Sequence, residues 1–207
     1  MVPDGPPDAE KRETLRQFAA LGAVGPLAAA SRVADVDLES ERRAAVLEHV
    51  ERTPGIHFSM LRDELELGTG ETQYHLRRLE RAGAIVSHTD GEYRRLFVAG
   101  VFSHEERCIL SALRRHRHGQ ILTETLGHPG IAAGELASRL DVSTPAISRA
   151  AGELERAGLL NRANGAYHVI DPETLLGLVA QFEESFDGQM VSAAFTAIDA
   201  GIVEESG

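Results

Sequence analysis

Residues 67–83 read LGTGETQYHLRRLERAG, and residues 142–158 read VSTPAISRAAGELERAG. In both stretches small or polar turn residues precede a helical pattern, and a glycine follows that pattern at Gly83 or Gly158. A glycine at this point favours the left-handed backbone that ends a helix. Each stretch therefore predicts a tight turn followed by one amphipathic helix.

These two stretches belong to a longer internal repeat. At an offset of 75 residues, positions 54–83 and 129–158 share eleven identities over thirty gap-free positions. The shared residues include Pro-Gly-Ile at the start and Leu-Glu-Arg-Ala-Gly at the end. Ordinary residue frequencies would give about two identities by chance. We therefore expect two copies of one small domain.

The first copy predicts the order helix, helix, turn, helix, hairpin. The three helices are expected at 41–53, Phe58 to Leu65 and about Thr69 to Ala82. The inward positions of the third helix are Thr72, Leu76 and Leu79. An Asp90-Gly91 turn between two alternating segments is typical of a β-hairpin. This order is that of a winged helix-turn-helix domain, in which the hairpin is the wing.

The second copy predicts the same order. Its helices are expected at 119–127, Ala132 to Leu140 and about Thr144 to Ala157, the last with Ser143 as N-cap. The inward positions of the last helix are Ile147, Ala151 and Leu154. Asn164-Gly165 predicts the hairpin turn, because both residue types tolerate positive φ. The predicted fold class is mainly α with small β-hairpin wings (α+β): two tandem winged helix-turn-helix domains plus N- and C-terminal helices.

The predicted domain boundaries are an N-terminal extension at 1–40, winged helix-turn-helix domains at 41–99 and 119–170, a linker helix at 100–118, and acidic C-terminal helices at 171–207. Within the extension we expect disorder over the first seven residues and a short helix from about Asp8 to Leu21. Lys11-Arg12 before a weakly apolar run resembles an export signal only poorly, because acidic residues surround the basic pair.

The C-terminal segment predicts two amphipathic helices, over 172–185 and 189–203. Their apolar faces need a surface to cover. A second subunit, giving a homodimer through these helices, and the chain's own domains are both open as that surface.

The overall charge is acidic, but it is unevenly distributed. The net charge is −11, while residues 54–170 are neutral and residues 171–207 carry −8. Lys11 is the only lysine, and this arginine-rich, acidic composition fits a GC-rich genome or a halophile. Cys108 is the only cysteine, which excludes a disulfide scaffold and favours a reducing, cytoplasmic location. The sequence holds no apolar run of membrane-spanning length.

The segment 67–80 followed by Ala82-Gly83 resembles the helix-turn-helix core of ArsR/MarR-type prokaryotic regulators. Residues 142–149 with 154–159 resemble the MarR pattern more closely, and the tandem, acidic arrangement is similar to two-winged-helix regulators of haloarchaea. The resemblance implies a transcriptional regulator whose partner is double-stranded DNA. One departure is Ala150-Ala151, where His-Leu is usual, which predicts thinner packing of that helix.

In a helix-turn-helix domain the third helix enters the major groove. The inward positions leave an outward set in the first copy: Thr69, Gly70, Gln73, Tyr74 and Arg77, with Arg78 to one side. Gln73 suits an adenine edge, and Arg77 suits guanine or phosphate. Arg94 and Arg95 follow the wing turn and are expected to reach the minor groove or the DNA backbone.

The corresponding set in the second copy is Ser143, Thr144, Pro145, Ser148 and Arg149, with Arg162 at the base of the wing. The resemblance implies DNA contact at Ser148 and Arg149. Glu71 and Glu153 are acidic neighbours of the two sets and would weaken DNA binding.

The remaining candidate features are weaker. The run Arg114-Arg115-His116-Arg117-His118 is expected at the end of a helix, where it would either contact phosphate or complement the helix dipole. His104 and Cys108 are four residues apart, but they do not make a complete metal site, so Cys108 is expected to be a small buried hydrophobic residue. The sequence predicts no enzyme, cofactor or metal, and it gives no effector.

A function of another class remains open. Tandem winged helices also serve as protein-interaction modules that do not contact DNA. The arginines of the outward helix faces favour DNA binding, and the overall acidity favours the interaction module.

Overall fold

The computed structural model describes residues 41–199. The predicted extension at 1–40 and the part of the tail after residue 199 lie outside this range. The first half contains helices α1 (Glu41–Arg52), α2 (Phe58–Glu64), α3 (Thr69–Arg81) and α4 (His104–Leu113), and strands β1 (Ile56–His57), β2 (Ile85–Asp90) and β3 (Tyr93–Val98).

The second half repeats this order and adds the tail. It contains helices α5 (His116–Gly127), α6 (Ala133–Arg139), α7 (Thr144–Arg156), α8 (Pro172–Gln181) and α9 (Gly188–Asp199), with a 3-10 turn at Glu183–Ser185, and strands β4 (Ile131–Ala132), β5 (Leu160–Ala163) and β6 (Ala166–Val169). The predicted fold class is confirmed: helices dominate, and each domain carries a small antiparallel sheet.

The described chain divides into two compact units, with the boundary between Ser111 and Ala112 inside α4. A capping box starts α4, because the Ser103 amide donates to the Glu106 carboxylate at 2.6 Å and the Glu106 amide donates to the Ser103 hydroxyl at 3.1 Å. A single linker helix was predicted over 100–118, whereas this stretch holds α4 and the start of α5.

The internal repeat is visible in the structure at the same offset of 75 residues. Helix α2 corresponds to α6, and the third helices α3 and α7 correspond residue for residue. The turns before them also agree, because Glu66 and Asp141 have φ of 51° and 52°. The helix-ending glycines predicted from sequence, Gly83 and Gly158, have φ of 68° and 72°, in the left-handed region.

Each wing is part of a three-stranded sheet, in the order β1-β3-β2 or β4-β6-β5. The hairpins were predicted, but the two-residue strands β1 and β4 were not. They pair antiparallel with the second strand of the wing, with Ile56 opposite Leu96 and Ile131 opposite Tyr167. Two residues carry no periodic signal, so sequence patterns could not show these strands.

The core of the first unit lies between the three helices and the sheet. Thr72 and Leu79 are completely buried and Leu76 is 3% exposed, which confirms the predicted inward face of α3. Leu76 and Leu79 belong to one apolar cluster with Val46, Val50, Ile56, Leu61, Ile85, Leu96 and Val98. In the second unit Ile147, Ala151 and Leu154 are buried as predicted, so the two alanines still face the core.

The tail helices cover their own unit. Helix α9 packs against α5 and α8. Gly119 makes room for this packing, because a Cβ there would lie 2.6 Å from Met190 Cε and 3.0 Å from the Leu113 carbonyl oxygen. The apolar residues Leu175, Leu176, Leu178, Val179, Val191 and Ala194 of these two helices are already buried in the single chain.

Candidate nucleic-acid interface

The outward face of α3 is formed as its sequence predicts. Helix α3 starts after Gly68, whose carbonyl accepts hydrogen bonds from the Thr72 amide at 2.9 Å and the Thr72 hydroxyl at 3.0 Å. Burial of Thr72 turns the opposite side of the helix to solvent. The predicted residues on that side are all exposed: Thr69, Gly70, Gln73, Tyr74, Arg77 and Arg78.

The wing and α3 line a common cleft of about 210 Å³. Gln73 and Arg77 contribute from α3, and Arg94 contributes from β3. The apolar lining comes from Phe58, Leu76 and Leu96. The structure therefore brings one amide and two cations from separate elements to one place. Arg94 also forms an ion pair with Glu80 at the end of α3.

Arg78 and Tyr74 form a pair on one turn of α3. Both Nε and Nη2 of Arg78 donate to the Tyr74 hydroxyl at 3.3 Å, and the guanidinium carbon lies 5.6 Å from the ring centroid. The hydrogen bond from Arg78 and its positive charge lower the pKa of Tyr74 below its ordinary value. The pair presents a phenol and a cation together, which are groups suited to a phosphate.

Arg95 is the exception in the first set. Its side chain is 2% exposed, so it cannot reach DNA in this conformation and the predicted contact is wrong. Successive residues of a strand point to opposite faces of the sheet. Arg94 lies on the side of α3 with Leu96, and Arg95 therefore points to the other side with Tyr93. This alternation was visible in the sequence once the hairpin was predicted.

The second set is exposed throughout. Ser143, Thr144, Pro145, Ser148 and Arg149 lie on the first two turns of α7 or just before it, and Arg162 lies on β5. Ser143 is the N-cap residue as predicted, but its side chain makes no capping hydrogen bond. Its backbone carbonyl accepts from the Ala146 amide at 3.0 Å instead. The guanidinium of Arg162 lies 5.4 Å from the Tyr167 ring centroid.

Glu71, near the start of α3, is paired with a positive charge. Glu71 accepts a hydrogen bond from Arg42 Nη1 at 2.9 Å, and the Arg42 side chain is 61% exposed. Arg42 lies on α1, 29 residues away in sequence. The pair places a positive charge beside the negative charge of Glu71 near the start of α3. Sequence analysis did not identify Arg42 because only the fold brings α1 beside α3.

Glu153 of α7 is also paired with a positive charge. Glu153 accepts from Arg115 Nη2 at 2.7 Å, and His118 Nε2 lies 3.2 Å from the same carboxylate oxygen. Desolvation of Glu153 opposes ionisation, but the hydrogen bond and charge of Arg115 outweigh it, so the pKa of Glu153 lies below its usual value. Glu71 on α3 and Glu153 on α7 are therefore both paired with arginines.

The basic run at 114–118 begins directly after the end of α4, as predicted, and continues into the start of α5, with Arg115 as the N-cap of α5. Its members make contacts inside the second unit. Arg114 donates to Ser185 and lies 4.2 Å from the Phe186 ring centroid, and His118 is 5% exposed. These contacts leave little of the run available for phosphate.

Cys108 is half-buried, so its prediction as a buried hydrophobic residue holds only in part. Its Sγ lies 3.7 Å from His104 Nε2 and 4.0 Å from His88 Nε2. Burial and the Glu105 carboxylate raise the pKa of the thiol. Within residues 41–199, no three His, Cys, Asp or Glu side chains are arranged to hold a metal ion.

Comparison with protein families agrees with the two units. Residues 40–110 match the model of an N-terminal helix-turn-helix domain family. Residues 112–166 match the model of the MarR family. The two matches in tandem are consistent with a tandem winged-helix regulator of MarR type. Curated proteins give no match.

Both matching families belong to DNA-binding transcriptional regulators, which are typically not enzymes. The junction of the two matches falls at the same place in α4 as the boundary between the two compact units. Over residues 41–199, no helix has the length and apolar character needed to cross a bilayer.

Proposed function

We propose that this MarR-type chain is a sequence-specific transcriptional regulator that binds promoter DNA through both winged helix-turn-helix domains. In the first domain the proposed contacts are Thr69, Gly70, Gln73, Tyr74, Arg77, Arg78 and Arg94. In the second domain they are Ser143, Thr144, Pro145, Ser148, Arg149 and Arg162. Gln73 and the arginines are assigned to base edges or phosphates, and the hydroxyl groups to phosphates.

The observation that carries this proposal is the cleft of the first domain. Gln73, Arg77 and Arg94 meet there from two elements, on the exposed side of a helix whose other side is buried. A base-reading amide flanked by two cations suits the major groove and the adjacent backbone. Charge compensation of Glu71 and Glu153 further supports the proposal, because those residues were the main electrostatic objection to it.

The decisive experiment maps genome-wide occupancy of the tagged protein in its host cell. The wild type is compared with the double variant Arg77→Ala, Arg94→Ala. We expect sharp peaks over promoters that disappear in the double variant. In vitro, on the DNA site recovered, each lost phosphate contact lowers the slope of log affinity against log salt by about one.

A matched control removes two positive charges elsewhere in the same unit. Arg52→Ala with Arg107→Ala gives the same net charge, and Arg52 lies at the end of α1 opposite to Arg42. We expect this control to keep the wild-type peaks. A flat profile for the wild type, or peaks that survive the loss of Arg77 and Arg94, would favour the protein-interaction module instead.

The homodimer through the C-terminal helices, the cytoplasmic location and the haloarchaeal, high-salt setting remain predictions from the sequence. A dimer would need a surface other than the apolar residues that the single chain already buries.

A further inference from the structure

Arg95 is a fully buried guanidinium that the proposed DNA contacts do not use. Its Nη1 donates to the Gly55 carbonyl at 3.2 Å, and its Nε donates to the Asp90 carboxylate at 3.3 Å. A buried charge is costly unless it is paired and hydrogen-bonded. These bonds help to hold the side chain in the interior, and they link the wing to the residue before β1.

The partners of Arg95 connect the tip of the wing to its base. Asp90 is the last residue of β2, beside the wing turn, whereas Gly55 precedes β1 and is 40 residues from Arg95 in sequence. The Arg95 guanidinium carbon also lies 4.9 Å from the Tyr93 ring centroid. Tyr93 stacks on His57 of β1, with 5.3 Å between ring centroids. The hairpin is thus tied to β1 at two levels.

The chain of contacts continues into the helix-turn-helix. His57 is the N-cap of α2, and its Nδ1 accepts from the Met60 amide at 3.2 Å. Partial burial and the nearby charge of Arg95 lower the pKa of His57, which favours the neutral ring that this acceptor role requires. Wing tip, sheet and α2 are therefore joined by one network centred on Arg95.

Arg94 gains its direction from this network. It is the next residue on β3 and points to the opposite face, into the cleft that Gln73 and Arg77 also line. Since adjacent strand residues project to opposite sides, fixing the Arg95 side chain fixes the rotation of β3 and hence the direction of Arg94.

We propose that Arg95 is a positioning residue that holds the first wing against β1, so that Arg94 faces the same DNA as α3. The part of this inference that concerns DNA rests on the proposed function, but the holding of the wing does not.

The first test is hydrogen exchange on the full chain without DNA. Arg95→Met keeps an unbranched apolar stem and removes the guanidinium, with its hydrogen bonds to Gly55 and Asp90 and its charge. We expect faster exchange of the amides at 85–98, with the amides at 69–81 near wild-type rates. Unchanged exchange in the wing, or equal acceleration of wing and α3, would overturn the proposal, because the side chain would then have no role or only a general structural one.

The second test uses the salt dependence of DNA binding at a temperature where every variant is folded. Arg94→Met, Arg95→Met and the double variant are compared on the DNA site selected by the wild type. Each single change is expected to lower the salt slope by about one, because the Arg94 phosphate contact is lost in both. The double variant is expected to match either single variant.

This non-additivity separates positioning from stability. A purely structural role would leave the salt slope of Arg95→Met at the wild-type value, and independent roles would add in the double variant. Arg52→Met is the matched control, because it makes the same charge change at an exposed side chain at the end of α1, and we expect a wild-type slope. If Arg95→Met does not fold, Asp90→Asn weakens the same network from the wing tip and is judged by the same two measurements.

If the wild type binds no DNA, the proposed function fails, while hydrogen exchange still decides whether Arg95 holds the wing. Failure of the proposed function and failure of the positioning role are thus distinguishable.

Discussion

The contact between Glu153 and the start of α5 gives a quantitative prediction for Glu153→Gln. The substitution preserves the shape of the side chain but removes its charge. It thereby weakens the 2.7 Å hydrogen bond with Arg115 and the 3.2 Å contact with His118. Because Glu153 lies on α7, the change tests what holds the proposed recognition helix of the second unit against α5.

The magnitude follows from the exposure of the partners. A hydrogen bond to a charged group contributes about 1.5–3 kcal/mol when it is well shielded. The side chains of Glu153 and Arg115 are 31% and 32% exposed, so solvent screening reduces this pair toward about 1 kcal/mol. The His118 side chain is only 6% exposed and would lose a charged partner, which adds to the cost. We expect a total loss of about 1–2 kcal/mol at neutral pH.

The pH dependence has a definite sign. The pKa of Glu153 is lowered in the folded protein, so its ionisation stabilises the fold at pH values above the unfolded pKa. This contribution is lost as the pH falls through the folded pKa. The difference between the wild type and Glu153→Gln should therefore shrink steadily at acidic pH.

The assay is urea unfolding followed by circular dichroism, because the chain contains no tryptophan. Glu155→Gln is the control, because Glu155 lies on the same helix, the change in net charge is the same, and Glu155 forms no ion pair within residues 41–199. A loss of about 1–2 kcal/mol corresponds to a midpoint shift of roughly 0.5–1 M urea. Equal midpoints for the two variants at neutral pH would show that the contacts of Glu153 do not stabilise the fold.

Two further predictions concern backbone conformation and the thiol. Gly152→Ala should stabilise the protein by about 0.5–1 kcal/mol, since alanine is the better helix former. Gly152 lies inside α7, and the added Cβ would meet no neighbouring group within 4 Å. Gly158→Ala should destabilise the protein by a similar or larger amount, because φ is +72° there. Thermal unfolding measures both variants, and melting temperatures that shift in the same direction would contradict this account. Cys108 should be alkylated slowly at neutral pH, with a rate midpoint above that of free cysteine, because burial and Glu105 raise its thiol pKa. A midpoint at or below that of free cysteine would show that the thiol is not shielded as described.

Local sequence patterns predicted most of the fold. Within the two winged-helix domains, helix boundaries were predicted to within about three residues because apolar spacing and capping residues act over one or two turns. The largest error inside these domains was the start of α5, predicted at residue 119 and found at His116. The basic residues that begin this helix contribute no apolar signal, and the contacts that hold them, at Glu153 and Ser185, lie far along the chain.

The candidate interface was only partly accessible to this reasoning. Helical period alone placed Gln73 and Arg77 on the exposed face of α3. The difference between Arg94 and Arg95 depended on what covers the second face of the wing sheet. Tyr93 and His57 form part of that cover, so the burial of Arg95 could be predicted only once the pairing of β1 with β3 was known.

Sequence patterns alone predict the repeat, the order of helices and hairpins, and the buried and exposed faces of α3 and α7. These features follow from steric and hydrophobic rules that act between neighbours along the chain. Only the folded chain brings Arg42 to Glu71 and Arg115 to Glu153, and only the folded chain packs α9 against α5. Electrostatic and packing energies depend on distance in space, and residues 29 or 38 positions apart become neighbours only after the chain folds.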